Sequence, residues 1–68
     1  MKVTYNKKHD LLYICLDPTQ KEVRNQEVSE HIVLDLDAED RIVGIEILNA
    51  STRLNADSLL PVEYEQTA

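Results

Sequence analysis

The 68-residue chain has one glycine, two prolines, one cysteine, three tyrosines, and neither tryptophan nor phenylalanine. A lone cysteine, Cys15, excludes an internal disulfide, so no covalent staple compensates for a small core. The longest unbroken apolar run, Leu11 to Leu16, is six residues, far short of the roughly 20 needed to span a bilayer. The first eight residues hold no apolar stretch of signal-peptide length. The expectation is a reduced, cytoplasmic protein without a membrane segment. Basic residues are scarce, seven against thirteen acidic, for a net charge of −6. That balance excludes a sequence-independent nucleic-acid binder, which works by neutralising phosphates with Lys and Arg. A chain this short buries only about 60% of its unfolded surface. It has no room for a second domain, a cofactor-binding half or a large pocket.

What is present is enough to fold: 43% of the residues are hydrophobic, too many for a disordered acidic tail. Charge is segregated. Met1 to Gln26 carries five basic and three acidic residues, whereas Glu27 to Ala68 sets ten acidic residues against Arg41 and Arg53. The acidity thus belongs to the second part of the chain, where a basic protein surface would be steered.

Period-2 alternation dominates, which predicts strands. Val3 and Tyr5 share one face of a short first strand, and Asn6 to Asp10 is a polar turn. Leu11 to Leu16 is apolar on both parities and stops before Pro18, which cannot donate to a ladder and keeps its predecessor extended. Lys21 to Val28 places Val23 and Val28 in opposite parity, as in an exposed, bulged edge strand. His31 to Asp37 alternates with Ile32, Leu34 and Leu36 on one face. Arg41 to Leu48 answers with Val43, Ile45 and Ile47. Two alternating runs joined by Ala38-Glu39-Asp40 make an antiparallel hairpin. Asp40 falls where such a loop needs a left-handed residue, a conformation that Asp tolerates. Asn49 is positioned as the N-cap of a short helix through Leu54, and Asn55 as its end. The expected fold is mainly β (α+β): an antiparallel meander of four or five strands with one short helix after the last strand. Residues 1–54 form the domain and residues 55–68 a partly ordered tail, fraying at its end.

Two stretches carry a family resemblance. Val3-Thr4-Tyr5, followed by Asp10-Leu11-Leu12-Tyr13-Ile14 and Leu16, resembles an opening of strand, polar turn and Asp-x-Leu-Tyr-Ile. Ile32 to Ser51 is similar to the hallmark hairpin of the same small prokaryotic family, catalogued as domain of unknown function 2283. Members usually have glycine at the position of Asp40. The resemblance implies a small single-domain protein and no catalytic residues. Members are sometimes encoded beside a small basic protein resembling a ribonuclease toxin, which implies an antitoxin-like partner role.

Several clusters invite sharper readings. Asp35, Asp37, Glu39 and Glu46 have the spacing of a helix-loop-helix calcium loop. Yet its obligatory glycine is Asp40 and its flanks alternate as strands. His9, Cys15 and His31 lack the close paired spacing of zinc ligands. Neither a metal nor a cofactor is expected. The lysines at positions 2, 7, 8 and 21, with Arg24, suit the protection of a sheet edge better than nucleic-acid binding. The polar positions shared with the family, Asp10, Glu46, Asn49 and Ser51, form the candidate binding cluster for a small ligand, a metal or a minor enzymatic activity. Their plainer role is to fix the turn and cap the helix. The doubly apolar second strand leaves one face to be covered. Leu11, Tyr13 and Cys15, joined by Leu59, Leu60 and Val62 of the tail, are the candidate interface. The favoured function is therefore non-enzymatic protein interaction. The partner is a second copy or another protein, with neither nucleic acid nor membrane involved.

Overall fold

The computed structural model describes residues 1–19 and 22–55. The strands β1 (Lys2–Asn6), β2 (Leu11–Cys15), β3 (Arg24–Ser29), β4 (Ile32–Leu36) and β5 (Ile42–Leu48) precede one helical turn, α1 (Ala50–Arg53). All five strands form one open sheet in the order β1-β2-β5-β4-β3, and every neighbouring pair is antiparallel. The hairpin β1-β2 and the meander β3-β4-β5 are joined where β2 pairs with β5. The expected mainly-β fold with a short terminal helix is the one observed.

Residues directly opposed across antiparallel strands share a face. Val3 opposes Ile14, which opposes Ile45, which opposes Leu34. Tyr5, Leu12, Ile47 and Ile32 form the next row. One face is thus apolar across four strands. Leu12, only 2% exposed, is its centre; burying a leucine so fully stabilises the fold by roughly 1.5–3 kcal/mol. The other face takes the opposite parity: Tyr13, Cys15, Gly44, Glu46, Val33, Asp35, Asn25 and Glu27.

The edge strands are β1 and β3. All of β3 is exposed, and its register shifts between Glu27 and Ser29, the bulge expected of this segment. A second irregularity pairs Asp35 with Gly44 but Leu36 with Ile42, so Val43 is the extra residue on β5. The β4-β5 turn is held by Asp37: the Glu39 and Arg41 amides donate to its Oδ1 at 2.8 and 2.9 Å, and Arg41 Nε donates to Oδ2 at 2.8 Å. Asp40 follows with φ 62°, in the left-handed region where an Asp side chain costs little.

The helix starts differently from expectation. Asn49 precedes α1 with φ 54° and makes no side-chain capping bond. The cap comes from Asp10, itself left-handed at φ 51°, whose carboxylate accepts from the Ser51 amide at 2.9 Å and the Ser51 hydroxyl at 2.7 Å. The Asp10 carbonyl also accepts from the Ala50 amide at 3.0 Å. A cap from the β1-β2 turn, rather than from the adjacent residue, is what ties α1 to the sheet.

Candidate functional site

Gly44 is the chain's one glycine, and its place on β5 decides the chemistry of the polar face. Cross-strand pairing puts it beside Asp35 on β4 and Cys15 on β2. A Cβ there would sit 2.2 Å from the Tyr13 hydroxyl oxygen. The missing side chain is therefore the space through which Tyr13 crosses β5. Its hydroxyl donates to Asp35 Oδ2 at 3.0 Å. From the opposite side, Asn25 Nδ2 on β3 donates to Asp35 Oδ1 at 2.6 Å and to Glu46 Oε2 at 3.3 Å. Four strands thus contribute to one cluster at the centre of the sheet.

Asp35 is 6% exposed, and the donors that Tyr13 and Asn25 aim at its carboxylate are both neutral. Burial, then the hydrogen bond to Asp35 and its charge, push the Tyr13 phenol up to about 12. Burial, followed by interaction with the Asp35 carboxylate, raises the Glu46 carboxyl above its ordinary range. Desolvation and a neighbouring carboxylate both disfavour the charged form of Glu46. Chemically, the cluster can accept hydrogen bonds or positive charge from a partner.

The expected binding residues do not form one site. Asp10 and Ser51 meet in the helix clasp, where hydrogen bonds from Tyr5 and then Ser51 lower the Asp10 carboxyl. Asn49 stands at the other side of α1, with its Nδ2 3.4 Å from His31 Nδ1, while Arg53 contacts the second ring nitrogen. Glu46 belongs to the central cluster. Of the expected interface residues, Leu11, Tyr13 and Cys15 are half-buried on the polar-face parity, with Tyr13 bonded to Asp35. Leu59, Leu60 and Val62 lie outside the described residues.

Asp35 and Asn25 were not among the expected site residues. They are ten positions apart in sequence, and only strand pairing makes them neighbours. The available signal is a glycine inside a strand, which marks close approach of another group.

Three of the exposed large hydrophobic side chains among the described residues lie on the apolar face. Tyr5 is 42% exposed, Ile32 37% and Leu16, next in parity after Ile14, 40%. Val3, Ile14, Leu34, Ile45 and Ile47 are half-buried. A shallow groove of about 290 Å³ lies at the sheet's end, between Leu36, Val23, Arg24 and Asp40. Three of its charged groups are paired, Arg24 with Asp40 and Asp37 with Arg41, and exposed Glu22 also lines it. Among the described residues no group of three or more His, Cys, Asp or Glu side chains is placed to hold a metal ion. No helix among them is long and apolar enough to cross a membrane.

A family model described as "Protein of unknown function (DUF2283)" matches residues 2–51. No curated protein and no solved structure matches the chain.

Proposed function

Because the chain belongs to the DUF2283 family, described only as of unknown function, we propose its function from its geometry: a small non-enzymatic protein-interaction domain that offers the apolar face of its sheet to another protein. The observation that carries this reading is the exposure of Tyr5, Leu16 and Ile32 around the buried Leu12 on that face. A stable domain packs two layers of secondary structure around its core, and among the described residues the second layer is four helical residues, Ala50–Arg53. Charged side chains are absent from this face on β1, β2, β4 and β5. Such a surface gains from apolar burial rather than from ion pairing. The setting is the cytoplasm, which suits the lone unpaired cysteine, Cys15.

The test is an apolar dye. At dilutions where a complex is dissociated, the chain binds ANS, and the double substitution Leu16→Lys/Ile32→Lys removes most of that binding. A chain that binds no dye and associates with no protein contradicts the reading.

A second reading draws on the opposite face. Asp35 and Glu46 share Asn25 and have no cationic partner among the described residues, which suits an acidic, antitoxin-like partner of a small basic protein. By contrast, Asp37, Glu39 and Asp40 at the β4-β5 turn are paired with Arg41 and Arg24, so the acidity of that turn is satisfied internally. Co-expression with an adjacently encoded basic protein tests this reading; no complex at low salt contradicts it.

A further inference from the structure

We propose that the protein covering the apolar face is a second copy of the chain, packed sheet to sheet about a two-fold axis parallel to the strands. This rests on the interaction reading above and adds the partner and its orientation. Two copies stacked by the same face form a closed pair only about an axis lying in the interface. Aligned sheets allow two such choices. An axis along the strands lays β1 of one copy over β3 of the other. An axis across the strands lays β1 over β1 and β3 over β3.

The charges at the two edges choose between them. Four antiparallel ladders separate β1 from β3, so these edge strands run in the same direction. The β1-β2 turn and the β3-β4 turn therefore lie at the same end of the sheet. The β1-β2 turn carries Lys7 and Lys8, both exposed; Lys2 opposes Cys15 and so belongs to the other face. Asp10, the carboxylate in that turn, is occupied by Tyr5 and Ser51. The β3 side carries exposed Glu22 ahead of β3 and exposed Glu30, 3.8 Å from His31 Nε2, in the β3-β4 turn. Glu27 opposes Val33 on the other face, and Arg24 is held by Asp40. With the axis along the strands, Lys7 and Lys8 stand over the partner's Glu30. With the axis across the strands the two ends exchange, so Lys7 and Lys8 lie over the far end of the partner's β1, away from Glu30.

Edge-to-edge pairing about an axis through the sheet likewise keeps Lys7 and Lys8 away from Glu30, and the bulge at Glu27/Ser29 interrupts one of the two ladders it would extend. The charges fix orientation; apolar burial supplies the affinity. Five strands about 4.8 Å apart and five residues of about 3.3 Å each give a face of roughly 400 Å² in projection. That is small for a stable interface, so the dimer is concentration-dependent in the micromolar range.

The experiment combines mass, dye binding and cross-linking on the full chain. Light scattering across the micromolar range gives twice the 7.8 kDa chain mass at the upper end. Carbodiimide, a zero-length reagent, is applied to an equal mixture of isotope-labelled and unlabelled chain. It joins Lys7 or Lys8 of one isotope form to Glu30 of the other. Within one chain these edges are four strand spacings, about 19 Å, apart, beyond the reach of such a bond. The double substitution Lys7→Glu/Lys8→Glu weakens association about tenfold at low salt, and high salt removes most of the difference. A dimer lacking these cross-links, or indifferent to the charge reversal, overturns the orientation and leaves the interaction reading standing. A monomer that binds ANS overturns the second copy alone. A monomer that binds no ANS overturns both.

Discussion

Tyr13 on β2 reaches across Gly44 on β5 to donate a 3.0 Å hydrogen bond to Asp35 on β4. One missing side chain thus lets a phenol link two strands that are not neighbours. The consequence is a test of packing. Gly44→Ala puts a methyl group 2.2 Å from the Tyr13 oxygen, forcing the ring aside and leaving Asp35 short of a donor. The expected cost is about 1–3 kcal/mol in urea unfolding, the range for a buried polar group deprived of its partner. Unchanged stability would show that Tyr13 does not occupy this path.

The same cluster sets two pH dependences. Burial and Asp35 raise the Tyr13 phenol from 10.0 to about 12, so between those values the folded state binds more protons than the unfolded state. Stability therefore falls as pH rises through this window. Tyr13→Phe shrinks that decline to the part due to Tyr5, whose phenol is raised by its hydrogen bond to Asp10, while lowering stability at neutral pH. Glu46 is also raised, by burial and then by Asp35, so its contribution is complete below its ordinary value of 4.5 and is lost as pH climbs through the raised one. Glu46→Gln flattens this second slope. Thermal midpoints measured against pH for both variants give the answer, and parallel curves for variant and parent would contradict it.

Asp10 carries the opposite sign. Hydrogen bonds from Tyr5 and Ser51 lower its carboxyl below the ordinary 3.8, so its contribution is present above that value and lost as pH falls through the lowered one. Asp10→Ala removes the cap of α1 and the anchor of Tyr5 together. The expected result is a melting midpoint lower by roughly 5 °C, with faster amide exchange at Ser51. Ser51→Ala removes one of these bonds and has a smaller effect. If Asp10→Ala leaves Ser51 exchange unchanged, α1 is held by something else.

How much of this was legible in the sequence depends on how far apart the interacting residues lie. Ile32, Leu34 and Leu36 against Val43, Ile45 and Ile47 alternate strictly, and the residues of the connecting turn are sequence neighbours, so the hairpin and left-handed Asp40 follow from local pattern. The exposed edge strand is legible in the polar run around Val23 and Val28, though the strand begins only at Arg24 and its bulge falls between Glu27 and Ser29. The capping of α1 does not, because Asp10 and Ser51 are 41 positions apart and Asn49 offers a plausible local cap. Nor does the central cluster. Tyr13 and Asp35 are 22 positions apart, and an Asp in a strand reads as solvent-facing until the register places it between Asn25 and Gly44. Asp10, Glu46, Asn49 and Ser51 share polarity, but only Asp10 and Ser51 meet; strand parity sends Glu46 to the central cluster, and Asn49 sits against His31.

The apolar face is the central claim, and the most direct measurement is the mass of the particle in solution, taken with ANS binding for the parent chain and for Ile32→Lys. The account predicts a concentration-dependent shift from 7.8 kDa to twice that mass in the parent. It predicts dye binding at the dilute end and a monomer at all concentrations for Ile32→Lys. A parent chain that stays at 7.8 kDa throughout and binds no dye contradicts it.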